Sequence, residues 1–185
     1  TYNPGALLVV PYDNPTGQFY DKETLISLAE LCVKYNMWMA SDEAYRELFY
    51  VEGSDLVSIW GITDKDVPGI EGRRISIETA SKVWNACGLR IGAVITDSPE
   101  FGNRCAAEYT ANLCANAIGQ YIFGALAHET KEQIAAWCKD IRNYYGDMIK
   151  NVTAEFKKLE PDLIVSSPDA SIYTVVDVRN VVKPG

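Results

Sequence analysis

Three short stretches of the sequence carry side chains that can do chemistry together. Asn14-Pro15-Thr16-Gly17 offers an amide and a hydroxyl in a turn-forming context, and Asp42 and Tyr45 offer a carboxylate and a phenol. Thr79, Ser81 and Lys82, followed by Arg90, offer two hydroxyls, an amine and a guanidinium. Each stretch follows a run that reads as a β-strand, and Arg90 precedes one. Ligands of open parallel sheets bind beyond the carboxyl ends of the strands, so these residues are expected along one edge. Other chemistries lack their parts. There is no Gly-x-Gly-x-x-Gly, no Gly-x-x-x-x-Gly-Lys-[Ser/Thr] and no Gly-x-Ser-x-Gly, and His128 is the single histidine. Five cysteines without a Cys-x-x-Cys pair and one histidine cannot assemble a zinc site of the usual kind, and no metal is expected.

The elements that must position these residues alternate between strand and helix. Ala6 to Val10 is a continuous apolar run, expected as a strand buried on both faces. Asp21 can cap a helix to about Tyr35, whose apolar face is Leu25, Leu28, Ala29 and Cys32. Met37 to Ala40, Arg74 to Glu78 and Ala93 to Thr96 read as further strands, and residues 53–72, rich in Gly, Asp and Pro, as mostly irregular. Helices are expected over Pro99 to Leu113 and Ile118 to His128, the latter packing through Ile122, Phe123 and Leu126. Thr130 and Gln133 have capping-box spacing. Behind them Ile134, Trp137, Ile141, Tyr144, Met148, Val152, Phe156 and Leu159 recur in steps of three and four, describing one helix of about 28 residues. Strands are expected at Leu163 to Ser166 and Ile172 to Val178. The fold class is therefore α/β, a mostly parallel sheet flanked by helices. A long interdomain helix and the start of a small α+β domain follow, with the boundary between residues 145 and 146.

The 185 residues are 48% hydrophobic and 23% charged, which excludes a disordered chain. No apolar run reaches the roughly 20 residues of a membrane-spanning helix. A net charge of −8 argues against nucleic-acid partners. The cysteines are expected as buried free thiols in a reducing cytoplasm. The chain opens on Thr1 without an initiator Met and reads as a start inside a longer protein.

A nucleophilic lysine, an arginine for a phosphate and an acid for a pyridinium nitrogen together describe a pyridoxal phosphate (PLP) site. The ordered set Asn14-Pro15-Thr16-Gly17, Ser41-Asp42-Glu43-Ala44-Tyr45, Thr79-Ala80-Ser81-Lys82 and Gly88-Leu89-Arg90-Ile91-Gly92 resembles the signature of the fold-type I, class I/II aminotransferases. The spacings match as well, three residues from Asp42 to Tyr45 and eight from Lys82 to Arg90. The resemblance implies that Lys82 holds the cofactor as a Schiff base and, once released, moves the substrate's α-proton. It implies that Asp42 pairs with the pyridine nitrogen, that Tyr45 and Asn14 hydrogen-bond the ring's phenolate oxygen, and that Arg90, Thr79 and Ser81 hold the phosphate. Amino acid and 2-oxo acid substrates (aspartate on prevalence alone), a cytoplasmic location and a homodimer are implied too.

Each residue also has a plain structural reading. Lysines are mostly solvated charges, Asp42-Glu43 can cap a following helix, Asn14 to Gly17 makes a serviceable turn, Arg90 can be an ion-pair partner, and a hydroxyl such as Ser81 beside a lysine is commonplace. A lyase or decarboxylase on the same scaffold, or a non-catalytic effector-binding domain of a regulator, would use the same residues. Thr79 stands where many members have serine and keeps the hydroxyl. Between Asp42 and Lys82 the chain is a few residues longer than common members. The family's upstream phosphate loop and stacking aromatic, and its downstream substrate-binding arginine, are not in these 185 residues, so this stretch alone is expected to be a weak or inactive catalyst.

Overall fold

A computed structural model describes residues 2–112 and 114–182. They form two compact units, each built from separated stretches of chain: residues 1–11, 20–44 and 57–130 in the first, and residues 12–19, 45–56 and 131–185 in the second. The second unit thus takes up two early loops and the whole of the long helix. The expected boundary at residue 145 falls inside that helix.

The first unit is a four-stranded sheet in the order β1 (Ala6–Val9), β2 (Trp38–Asp42), β3 (Arg74–Thr79), β4 (Gly92–Thr96). β1, β2 and β3 are parallel, and β4 runs antiparallel along β3 with Thr79 opposite Gly92. Helix α1 (Lys22–Lys34) joins β1 to β2. It starts where the Asp21 carboxylate accepts the Thr24 amide at 2.8 Å and ends at Tyr35, and its expected face is the one it buries, through Leu25, Ala29 and Cys32.

Strand alternation and register place Leu7, Val9, Met39, Ser41, Arg74 and Ser76 on one side of the sheet, where burial is deepest. The segment expected to be irregular covers part of that side. It holds only a 3₁₀ turn at Ile59–Gly61, yet Val57, Ile59, Ile62, Val67 and Ile70 are all buried, and Trp60 Nε1 donates to Ser76 Oγ at 3.1 Å. Lack of regular backbone here does not mean lack of core. Arg74, 8% exposed, is held by Asp97 at 2.6 Å and donates to the Ile62 carbonyl at 2.7 Å.

The other side bears Leu8, Ile77 and Val94. The expectation that β1 is buried on both faces fails there, because β1 is an edge strand and Leu8 is 61% exposed. Helix α2 (Pro99–Ala111) packs next to β4 and sets Phe101 against Trp38. Leu113, its expected last residue, lies outside the described residues. Helix α3 (Ala117–Gly124) ends earlier than expected and passes into a 3₁₀ turn at Ala125–His128. Of the residues expected to pack it, Ile122 is exposed and Phe123 meets Trp84 edge-on at 6.0 Å, while Gly119 is the position it buries.

In the second unit, α4 (Lys131–Leu159) runs for 29 residues and precedes a two-stranded antiparallel ribbon, β5 (Ile164–Val165) with β6 (Val176–Asp177). The expected apolar line of α4 is largely on the surface. Trp137, Tyr144, Met148, Val152, Phe156 and Leu159 are exposed, while Cys138, Ile141 and Thr153 are buried. The helix instead packs through the side where Arg142 donates to Glu47 at 2.8 Å and lies over the Phe49 ring at 4.0 Å. On that side a Cβ at Gly146 would stand 2.9 Å from the Tyr50 ring. Among the cysteines, all free, only Cys32 and Cys138 are buried, and burial pushes both thiols up. Cys105, within α2, is half-buried, and Cys87, in a 3₁₀ turn before β4, and Cys114, just after α2, are exposed, which corrects the expectation of five buried thiols.

Two outcomes follow for the first unit. Asp97→Ala leaves a buried guanidinium without its partner, and should cost about 3 kcal/mol in urea denaturation. The Lys22 ammonium beside Asp66 holds that carboxyl at about 2, below its ordinary 3.8. The pair therefore stabilises the fold above about pH 4 and loses that contribution as the pH falls toward 2. Asp66→Asn should flatten the acid limb of a stability–pH curve in that window, and added salt should do the same in part.

Candidate active site

The ladder of the first unit's sheet decides which residues share an edge. Parallel strands β2 and β3 end at Asp42 and Thr79. β4 runs the other way, so it begins at this same edge and brings Arg90 to it from the chain just before Gly92. A parallel β4 would have put Arg90 at the opposite edge. The approach is close: a Cβ on Gly92 would stand 2.8 Å from the Glu78 carbonyl oxygen, so only glycine fits.

Asp42 Oδ1 accepts the Ala44 amide at 3.1 Å. No helix follows, so the capping alternative for Asp42-Glu43 does not hold; the chain turns instead. The neighbouring Glu43 points into the core, where its two carboxylate oxygens accept from Ser58 Oγ at 2.7 Å and the Ile59 amide at 2.8 Å. Beyond β3, the Thr79 hydroxyl lies 2.9 Å from Ser81 Oγ and accepts the Ser81 amide at 3.1 Å. Lys82 follows, half-buried, in a tight loop closed by the Asn85 amide on the Lys82 carbonyl and the Ala86 amide on the Ala80 carbonyl. Arg90 is exposed, at a left-handed φ of 54°, with Nη1 donating to the Cys87 carbonyl at 2.7 Å. Asp42, Thr79, Ser81, Lys82 and Arg90 are thus all carried on the strand ends and loops of one sheet edge. As donors they suit a phosphorylated pyridine: hydroxyls and a guanidinium for the phosphate, a carboxylate for a ring nitrogen and an amine for an aldehyde.

Asn14 and Tyr45 belong to the second unit and are brought together there, with Asn14 Nδ2 donating to Tyr45 Oη at 3.4 Å. The Asn14 turn is more than a serviceable one. Gly17, at φ 73°, presents its carbonyl to the Asp169 and Ala170 amides at 2.8 and 2.9 Å, and a Cβ there would stand 2.6 Å from Pro168 Cβ. Tyr45 is buried and its hydroxyl lies 2.9 Å from that of Tyr173. Sequence reasoning passed over Tyr173, reading it only as part of a strand.

A sequence model of the class I and II aminotransferases matches residues 3–183. The chain belongs to that family. Class I and II aminotransferases are PLP-dependent, and the donors at the sheet edge fit that cofactor. Among relatives of this aminotransferase chain is BNA3 of Saccharomyces cerevisiae, a probable kynurenine–oxoglutarate transaminase, 25% identical over 97% of the chain and 38% of its own length. The aspartate aminotransferase of Thermotoga maritima is 26% identical over 94% of the chain and 42% of its own. A PLP-bound protein of Clostridium difficile 630, assigned to the aminotransferases, has the same fold with a TM-score of 0.78 at 18% identity, over 92% of this chain and 42% of that one. The chain therefore spans about two fifths of the length of these proteins.

Glu43 is a structural acid and Asp42 a surface-facing one, and denaturation should separate them. Glu43→Ala strands the buried Ile59 amide and the half-buried Ser58 hydroxyl and is expected to cost roughly 3 kcal/mol, while Asp42→Ala, losing one amide contact, costs under about 1 kcal/mol. Urea midpoints followed by circular dichroism test both.

Proposed function

We propose that the protein is a PLP-dependent aminotransferase that moves an amino group between an amino acid and a 2-oxo acid, with Lys82 as the residue that holds the cofactor. The observation that supports this most directly is the delivery of Asp42, Thr79, Lys82 and Arg90 to one sheet edge in a chain of this family. Bound PLP supplies an electron sink for the substrate's α-carbon. Lys82 would be the residue that holds the cofactor through its aldehyde carbon, and its amine, once free, would carry a proton to and from the substrate's α-carbon. The Asp42 carboxylate keeps a proton on the ring nitrogen. Arg90, with the Thr79 and Ser81 hydroxyls, would hold the phosphate. Asn14 and Tyr45 donate to the ring's phenolate oxygen. We assign an aspartate-type donor, the substrate named for the Thermotoga maritima relative, and a cytoplasmic homodimer as the working form.

Borohydride reduction of the protein incubated with PLP, followed by peptide mapping, should place the label on Lys82 alone, and Lys82→Ala should abolish it. In the whole protein, Lys82→Ala should lower turnover of aspartate with 2-oxoglutarate by at least about a thousandfold. Label scattered over surface lysines would defeat the Lys82 assignment. Release of ammonia or carbon dioxide without amino transfer would point to a lyase or decarboxylase instead.

A further inference from the structure

We propose that Asn116, the N-cap of α3, is a positioning residue for Arg90: it pins the peptide that enters Arg90 and so fixes the direction in which the guanidinium leaves the chain toward the cofactor's phosphate. The proposal rests on the PLP reading given above and deepens it, and every residue it uses belongs to the first unit. Asn116 Oδ1 accepts the Ile118 and Gly119 amides at 3.0 and 3.2 Å, which caps the helix. With its oxygen turned to those two donors, the side-chain amide has its nitrogen left to turn elsewhere. Nδ2 donates to the Leu89 carbonyl at 3.3 Å, 27 residues back along the chain. Gly119 makes the approach possible. A Cβ there would stand 2.8 Å from the Leu89 carbonyl oxygen and 3.0 Å from the Ile91 side chain, so α3 meets the residues on both sides of Arg90.

Arg90 needs such a hold. Its φ of 54° is left-handed, a conformation that costs a residue with a side chain and persists where the surroundings enforce it. The peptides on either side are tied to other parts of the unit. Ahead of it, the Leu89 carbonyl meets Asn116, while the Leu89 and Arg90 amides donate to the Ala86 and Cys87 carbonyls at 3.0 and 3.3 Å. Behind it, the Ile91 carbonyl accepts the Ala80 amide at 3.0 Å and the Thr79 hydroxyl at 3.3 Å. The ties behind Arg90 come from the sheet edge itself, and Asn116 brings in an element from outside that edge. A guanidinium pairs with a phosphate through N–H bonds in a fixed fork, so a turn of the backbone that carries it is felt at the phosphate oxygens.

The readout is the ratio of the dissociation constants of the whole protein for pyridoxal and for PLP, which differ by the phosphate, measured by absorption titration. Asn116→Ser keeps a neutral N-cap acceptor and loses the amide donor. It should weaken PLP about three- to fivefold and leave pyridoxal unchanged. Gly119→Ala favours the helix yet pushes against the Leu89 carbonyl, and should act in the same direction, which loss of α3 could not explain. Arg90→Ala should remove most of the preference for PLP, and adding Asn116→Ser to it should change nothing more. An unchanged ratio in Asn116→Ser or Gly119→Ala, an equal loss for both probes, or additive losses in the double variant would overturn the proposal and leave the PLP assignment standing. Unchanged PLP binding in Arg90→Ala would overturn the proposal together with the phosphate role of Arg90. Failure of the unmodified protein to bind PLP would overturn the PLP reading as well.

Discussion

The reversal of one strand governs the chemistry of the sheet edge. Ladder hydrogen bonds fix which ends of neighbouring strands coincide, and a strand that turns back begins where its partner stops. Pairing of β4 along β3 therefore makes Gly92 the neighbour of Thr79 and hands the edge an arginine from the chain ahead of β4. The lysine arrives from the other direction, on the loop that leaves β3. Two cationic side chains eight residues apart in sequence thus come to one edge through a single backbone constraint. The close contact of Gly92 with the Glu78 carbonyl belongs to that constraint. A side chain there would push the ladder apart at its first rung.

The second unit uses a different device, a short stretch of chain held at several points. Residues 169–171 have almost no regular structure, yet their amides, a hydroxyl and a carbonyl all find partners on the loops around Gly17 and Leu48. Such a stretch keeps its shape because most of its backbone groups are satisfied by those loops. Tyr12, Phe19 and Phe49 pack beneath, with Phe19 and Phe49 stacked at 5.4 Å, and Arg142 of α4 closes over Phe49.

Much of this was legible in the sequence, for reasons that can be traced to single residues. The end of β2 was marked by the switch from the apolar run Met37 to Ala40 to Ser41-Asp42-Glu43, and α1 by Asp21 and the spacing of Leu25, Leu28, Ala29 and Cys32. The spacing of Asn14, Asp42, Tyr45, Lys82 and Arg90 carried the family resemblance. What periodicity misled on was α4: its steps of three and four gave the length, but Trp137, Tyr144 and Met148 stand exposed while the packed side is built from Arg142, Gly146 and Cys138. A stripe shows that a helix is amphipathic and not which surface receives it. Tyr173 was invisible for another reason. Its partner lies 128 residues away, and no local pattern encodes a contact that long.

Asp42 and Glu43 show how far chemistry depends on a one-residue step. They are adjacent carboxylates at the end of the same strand, with nearly the same intrinsic acidity. Alternation along the chain sends them to opposite sides, and their surroundings diverge from there. Glu43 is drawn under the 57–62 segment, where the Ser58 hydroxyl and the Ile59 amide converge on it and fix it beside the 3₁₀ turn that Ser58 caps. Asp42 stays at the sheet edge with one backbone amide on one oxygen, and its other oxygen makes no hydrogen bond among the described residues. An acid that is to hold a proton on a bound ring needs that remaining oxygen, and it also needs not to move. The buried neighbour provides the second condition: by fixing the backbone at residue 43, Glu43 holds the direction in which the Asp42 carboxylate leaves the strand.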